Sequence, residues 1–92
     1  MTAFQALNIL ADIPHDGFNA NLNPNTNSLY FGNRQNNHFM KIKVNVDNNL
    51  NKVTIFFYSN VNNGADFELT DTIVANIVNK NTLQFDRIIN IH

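Results

Sequence analysis

The stretch 38-HFMKIKVNVDNNLNKVTIFFYSNV-61 decides the fold. Side chains of an extended strand alternate between its two faces. On the first arm His38, Met40, Ile42, Val44 and Val46 share one face, against Phe39, Lys41, Lys43, Asn45 and Asp47. On the second arm Val53, Ile55, Phe57 and Val61 share the apolar face, against Lys52, Thr54, Phe56, Tyr58 and Asn60. The pattern predicts a β-hairpin with one buried face and one outer face of lysines and aromatic rings. A four-residue loop at Asn48–Asn51 would pair Val44 with Ile55 and Ile42 with Phe57 inside. It would also set Lys43 opposite Phe56 and Lys41 opposite Tyr58 outside. A two-residue Asn48-Asn49 turn would shift the partners and leave the faces unchanged.

Upstream, Thr2 to Ala11 reads as a helix. Thr2 and Gln5 form a capping-box pattern, and Pro14 forbids continuation. Gln5, Asn8 and Asp12 fall on one narrow polar stripe, and the remaining girth is apolar. Such a helix requires cover on more than one side, from the sheet and a loop or from a second chain. His15 to Ser28 reads as a polar loop in which Asn19, Asn21, Asn23, Asn25 and Asn27 recur at every second position. If extended, these five amides would line one side; as a loop, they would form Asx-turns. Leu29 to Gly32 suits a short strand.

Downstream, Asn62-Asn63-Gly64 suits a three-residue hairpin loop, with glycine supplying positive φ. That loop would pair Ser59 with Phe67 and Phe57 with Leu69, placing Phe67 and Leu69 in the core. Residues 70–79 read as a helix, with Thr70 as N-cap and Leu69, Ile73, Val74, Ile77 and Val78 as its stripe. Their β-branched content would equally suit a long strand. Leu83 to Ile91 alternates as a last strand. The expected fold is α+β: an N-terminal helix, a mainly antiparallel meander of four to five strands, and a short second helix before the last strand.

Ninety-two residues suit a single compact domain, 1–92, with a marginal core. The hydrophobic share of 43% suits a folded chain. Charged residues make up only 14% and the net charge is −1, which disfavours both a basic nucleic-acid binder and an acidic DNA mimic. Polarity comes instead from asparagine, at 20 of 92 positions. An AT-rich genome would explain asparagine but should also enrich lysine, which occurs four times. Cysteine is absent, so disulfides and thiolate metal sites are excluded. With no signal-like start and no apolar run near the ~20 residues of a membrane span, a cytoplasmic protein with no membrane partner is expected.

Catalytic signatures are lacking: no nucleophile elbow, phosphate-cradling loop or paired zinc histidines occur. Gly17, Gly32 and Gly64 are isolated and suit turns. Asp12, His15 and Asp16 could orient a general base or hold a metal. The plainer alternative has His15 on the last helix carbonyls and Asp16 opening a turn at Gly17. No metal-ligand spacing supports the first, so no catalytic residue, metal or cofactor is assigned and the chain reads as a non-enzyme. His38 suits a partly buried, hydrogen-bonded histidine, and His92 is terminal.

The outer hairpin face is the better candidate. Phe39, Lys41, Lys43, Phe56 and Tyr58 suit protein recognition, where aromatic anchors dominate. Rings beside lysines could also stack single-stranded nucleic acid, but six basic residues in the whole chain make phosphate affinity modest. Alternatively, a helix covers this face and the rings form a second core layer. The expected function is a small non-enzymatic protein-binding module acting by steric occupation of a partner surface. Phe39, Phe56 and Tyr58 would anchor it and Lys41 and Lys43 would orient it, with Asn19, Asn21, Asn23, Asn25 and Asn27 as a possible rim. Composition alone draws an analogy with accessory proteins of phages and mobile elements, such as inhibitors and immunity proteins. The other class is a self-associating assembly subunit that uses the first helix.

Overall fold

The computed structural model describes residues 1–12, 19–33, 38–60 and 67–90, with side chains except at 19–20, 33, 38 and 86–90. The capping box forms as the N-terminal sequence demands. Thr2 Oγ1 accepts the Gln5 N–H at 3.1 Å, and Gln5 Oε1 accepts the Thr2 N–H at 2.9 Å. Helix α1 (Ala3–Ala11) follows, burying Ala6, Leu7 and Leu10. Thr2→Ala should cost about 1 kcal/mol through the lost cap, seen as a lower urea midpoint.

Six strands succeed it: β1 (Asn19–Asn23), β2 (Ser28–Asn33), β3 (His38–Asp47), β4 (Lys52–Asn60), β5 (Phe67–Asn79) and β6 (Thr82–Asn90). Each pairs antiparallel with its neighbour in sequence, in the order β1-β2-β3-β4-β5-β6. The helix touches β1, β2 and β3 and also β6 at the far edge, so the sheet curls around it. The core joins Ala6, Leu7 and Leu10 of α1 to Leu29, Phe31, Ile42, Val53, Ile55 and Ala75 of the sheet.

The central hairpin has the register of the four-residue loop: Val44 faces Ile55, Ile42 faces Phe57, Lys43 faces Phe56 and Lys41 faces Tyr58. Asp47 Oδ1 accepts the N–H groups of Asn49 (3.0 Å) and Leu50 (3.2 Å), and Asn51 takes φ 53°. Asparagine does the same work in the other described turns. Asn23 Oδ1 accepts from Asn25 N–H at 3.0 Å, Asn79 Oδ1 from Asn81 N–H at 2.9 Å, and Asn27 takes φ 50°. Short amide side chains bond neighbouring backbone and tolerate left-handed φ, which suits them to these corners.

Three expectations are corrected. First, the sheet has six strands rather than four or five. The extra one, β1, lies in the segment read as a loop, where Leu22 meets Leu29 and Ala20 meets Phe31 in register. The row of five asparagines ends there, because Asn25 and Asn27 belong to the turn.

Second, no helix forms at 70–79; these residues belong to β5. Thr70, Thr72, Ile73, Val74, Ile77 and Val78 are β-branched, and β5 pairs on both sides, with β4 and β6. Two ladders satisfy its backbone while the branched side chains pack well on a pleat.

Third, Phe67 and Leu69 do not face the core. The β4–β5 register shifts between Phe57 and Tyr58: Phe57 pairs with Asp71 but Tyr58 pairs with Leu69, and Asn60 pairs with Phe67. Thr70 is the additional residue, and its hydroxyl donates to the Phe57 carbonyl at 3.2 Å. A bulge resets the alternation downstream of it, so Leu69 and Phe67 share the face of Tyr58. The Asn62-Asn63-Gly64 turn itself lies outside the described residues.

Candidate docking face

The outer face is assembled by register. Tyr30 of β2 stands opposite Lys41 of β3, which stands opposite Tyr58 of β4, which stands opposite Leu69 of β5. The helix packs on the other face, so the alternative in which a helix roofs these rings does not hold for the described residues. Phe39 is 37% exposed, Lys43 is exposed, and Lys41, Phe56 and Tyr58 are half-buried.

Much of that partial burial is mutual. The Lys41 ammonium lies 5.1 Å from the Tyr58 ring centroid and 5.1 Å from that of Phe67. Both distances fall within the reach of cation–π attraction, worth about 0.5–2 kcal/mol each depending on desolvation. Tyr30 meets Phe67 edge-on, centroids 6.5 Å apart and planes at 70°. Phe39 lies against its cross-strand partner Gly32, whose missing Cβ would sit 3.0 Å from the ring. The Phe39 N–H donates to Asn60 Oδ1 at 2.8 Å.

The five residues assigned from sequence, Phe39, Lys41, Lys43, Phe56 and Tyr58, thus share one face. Two that sequence reasoning missed, Tyr30 and Phe67, complete the cluster around Lys41. Tyr30 had a signal, since it alternates with Leu29 and Phe31 on a short strand. Phe67 had none, because the bulge hides its side. Among the rim asparagines, Asn21 and Asn23 hold register positions beside Tyr30 and Ser28, and Asn19 beside Gly32. Asn25 and Asn27 are turn residues off this row.

Two buried polar side chains, Ser28 and Thr72, hold outer-face register positions opposite Lys43 and Phe56. Ser28 donates to the Thr26 carbonyl at 3.2 Å, whereas Thr72 Oγ1 has no hydrogen-bond partner. An unpaired buried hydroxyl costs about 1–3 kcal/mol. Thr72→Val should therefore raise stability by about 1 kcal/mol, checked by the urea midpoint; a loss would mean the hydroxyl is paired in solution.

A separate open cleft of about 310 Å³ runs between the polar stripe of α1 and the β5–β6 turn, lined by Gln5, Asn8, Ile9, Asp12, Lys80 and Asn81. Of the triad weighed for catalysis, Asp12 lines this cleft, while His15 and Asp16 lie outside the described residues. Side-chain description at His38 and all description of His92 are likewise outside. Among the described residues no trio of His, Cys, Asp or Glu could hold a metal ion, and no helix is long and apolar enough to cross a membrane. Comparison with family models, with curated proteins and with solved structures finds no match to this chain.

Proposed function

We propose that this chain is a small, non-enzymatic protein-binding module that works by covering a surface on its partner. The observation that carries this is the outer sheet face, where Phe39, Phe56 and Tyr58 stand among Lys41 and Lys43 with no helix over them among the described residues. Rings held by cross-strand neighbours lose little entropy on docking, and hot spots concentrate on such aromatics. A cytoplasmic inhibitor or immunity protein fits this mode of action, because occupation needs no catalytic group. The test is capture of the partner from the native host, followed by hydrogen exchange of the complex. Slowed exchange in the amides of β3 and β4 supports the reading; slowing confined to α1 rejects it.

A second reading, self-association through α1, draws on Phe4, which is 45% exposed on a helix otherwise seated in the core. Sedimentation at several concentrations separates the two, since a monomer throughout disfavours assembly.

A further inference from the structure

We infer that the surface this face docks onto is acidic around an apolar ridge, and that Lys41 is the cation pre-positioned to meet it. The inference rests on the docking function proposed above and goes on to name the partner's chemistry.

The chain's small net charge conceals a separation of sign. Among side chains the structure describes, Lys41, Lys43 and Lys52 hold outer-face positions and Asp47 is the one acid there, giving 3 − 1 = +2. Off that face lie Lys80 in the β5–β6 turn, Asp12 at the end of α1, and Glu68 and Asp71 at core-face register positions opposite Ser59 and Phe57, giving 1 − 3 = −2. A face with two surplus positive charges on an otherwise negative body favours an acidic counterpart and steers its approach.

The three lysines are not equivalent. Lys43 is exposed and free to sweep, whereas Lys52 Nζ donates to Asn76 Oδ1 at 2.6 Å. Lys41 is held between the Tyr58 and Phe67 rings, which attract its charge without neutralising it. Its rotamer entropy is spent in folding, so a carboxylate arriving there meets an ammonium already in place. Phosphate is the weaker candidate: two surplus charges release few counterions, and the rings that would stack bases are engaged with Lys41.

The experiment selects binders to the immobilised full chain from a random peptide library and compares them with a twelve-residue oligothymidylate. Enriched peptides should carry Asp or Glu beside aromatic or aliphatic residues and should need Phe56. Lys41→Gln should weaken them about tenfold and Lys43→Gln about threefold, both effects shrinking at high salt. Lys43→Glu, at an exposed position, should weaken them further while leaving the melting temperature unchanged, so the charge claim stands apart from any effect of Lys41 on folding. Peptides that need Phe56 but are neutral or basic overturn the acidic partner and leave the docking face intact. Peptides indifferent to Phe56→Ala, or no enrichment over bare resin, overturn the docking face itself. Oligothymidylate that binds tighter than every peptide and displaces them overturns the inference in favour of nucleic acid.

Discussion

Leu7→Ala is expected to cost about 3 kcal/mol, because a fully buried leucine reduced to alanine loses transfer energy and leaves a cavity. Leu7 is 0% exposed and belongs to the cluster in which Ala6 and Leu10 meet Leu29, Ile42, Val53 and Ile55. It joins the helix to the middle of the sheet. For a domain of this size the loss corresponds to a fall in melting temperature of roughly 12–24 °C. Leu50, at the tip of the β3–β4 turn and 68% exposed, is the matched control. Its alanine variant should change stability by less than about 0.5 kcal/mol. Comparable melting of both variants would mean that α1 does not sit in the curl of the sheet.

Loss of the paired rings should be the largest effect on binding. Phe56→Ala combined with Tyr58→Ala is expected to weaken the partner complex by more than about 2 kcal/mol, roughly thirtyfold, as for central aromatic anchors. The two positions differ. Phe56 is opposite Lys43 and Thr72, so its removal chiefly exposes the middle of the face. Tyr58 also helps hold the Lys41 ammonium, so its removal releases that charge. Tyr58→Phe keeps the ring and its quadrupole and should bind almost normally. Calorimetric titration of the captured partner reads these differences, with circular dichroism confirming that each variant is folded. Affinity within threefold of the parent for the folded double variant would dismiss both rings as anchors.

The central hairpin was legible in the sequence to the level of individual partners, because strict alternation on both arms and a four-residue polar corner leave one register that buries every apolar side chain. The capping box was equally plain, since Thr2 and Gln5 satisfy each other's backbone. Two elements were obscured for different reasons. β1 consists of Asn-Ala-Asn-Leu-Asn, a composition depleted in strands, and its pairing depends on Leu22 and Ala20 finding β2. β5 was ambiguous because its apolar positions satisfy a helical stripe as well as an alternating one. Its ladders also contain irregularities, beside Tyr58 and on the β6 side between Val74 and Ala75 and between Ile77 and Asn79. Each such slip moves side chains across the sheet, and local sequence carries no count of them. The docking face inherits this split. Phe39, Lys41, Lys43, Phe56 and Tyr58 come from the regular hairpin and were assigned correctly to one side, whereas Phe67 arrives there only through the slip at Thr70.

The asparagines acquire a physical account as well. Asn23, Asn27, Asn51 and Asn79 serve turn corners, Asn60 accepts from Phe39, and Asn76 receives the Lys52 ammonium. Asn48 bridges to the helix end, its Oδ1 2.8 Å from the Met1 amino group and its Nδ2 3.0 Å from the Met1 carbonyl. A genome-wide base bias does not predict such placement.

The nearest-neighbour order of the strands has a consequence for the route by which the chain assembles. Every ladder joins segments consecutive along the chain, so each closes a short loop at small entropic cost and can zip onto the one before it. The contact between α1 and β6 is different, since it brings together opposite ends of the polypeptide and can form only after the intervening ribbon has curved. Helix docking is thus the last event in folding and the first to reverse, and brief exposure of the oily concavity beneath it is built into the topology.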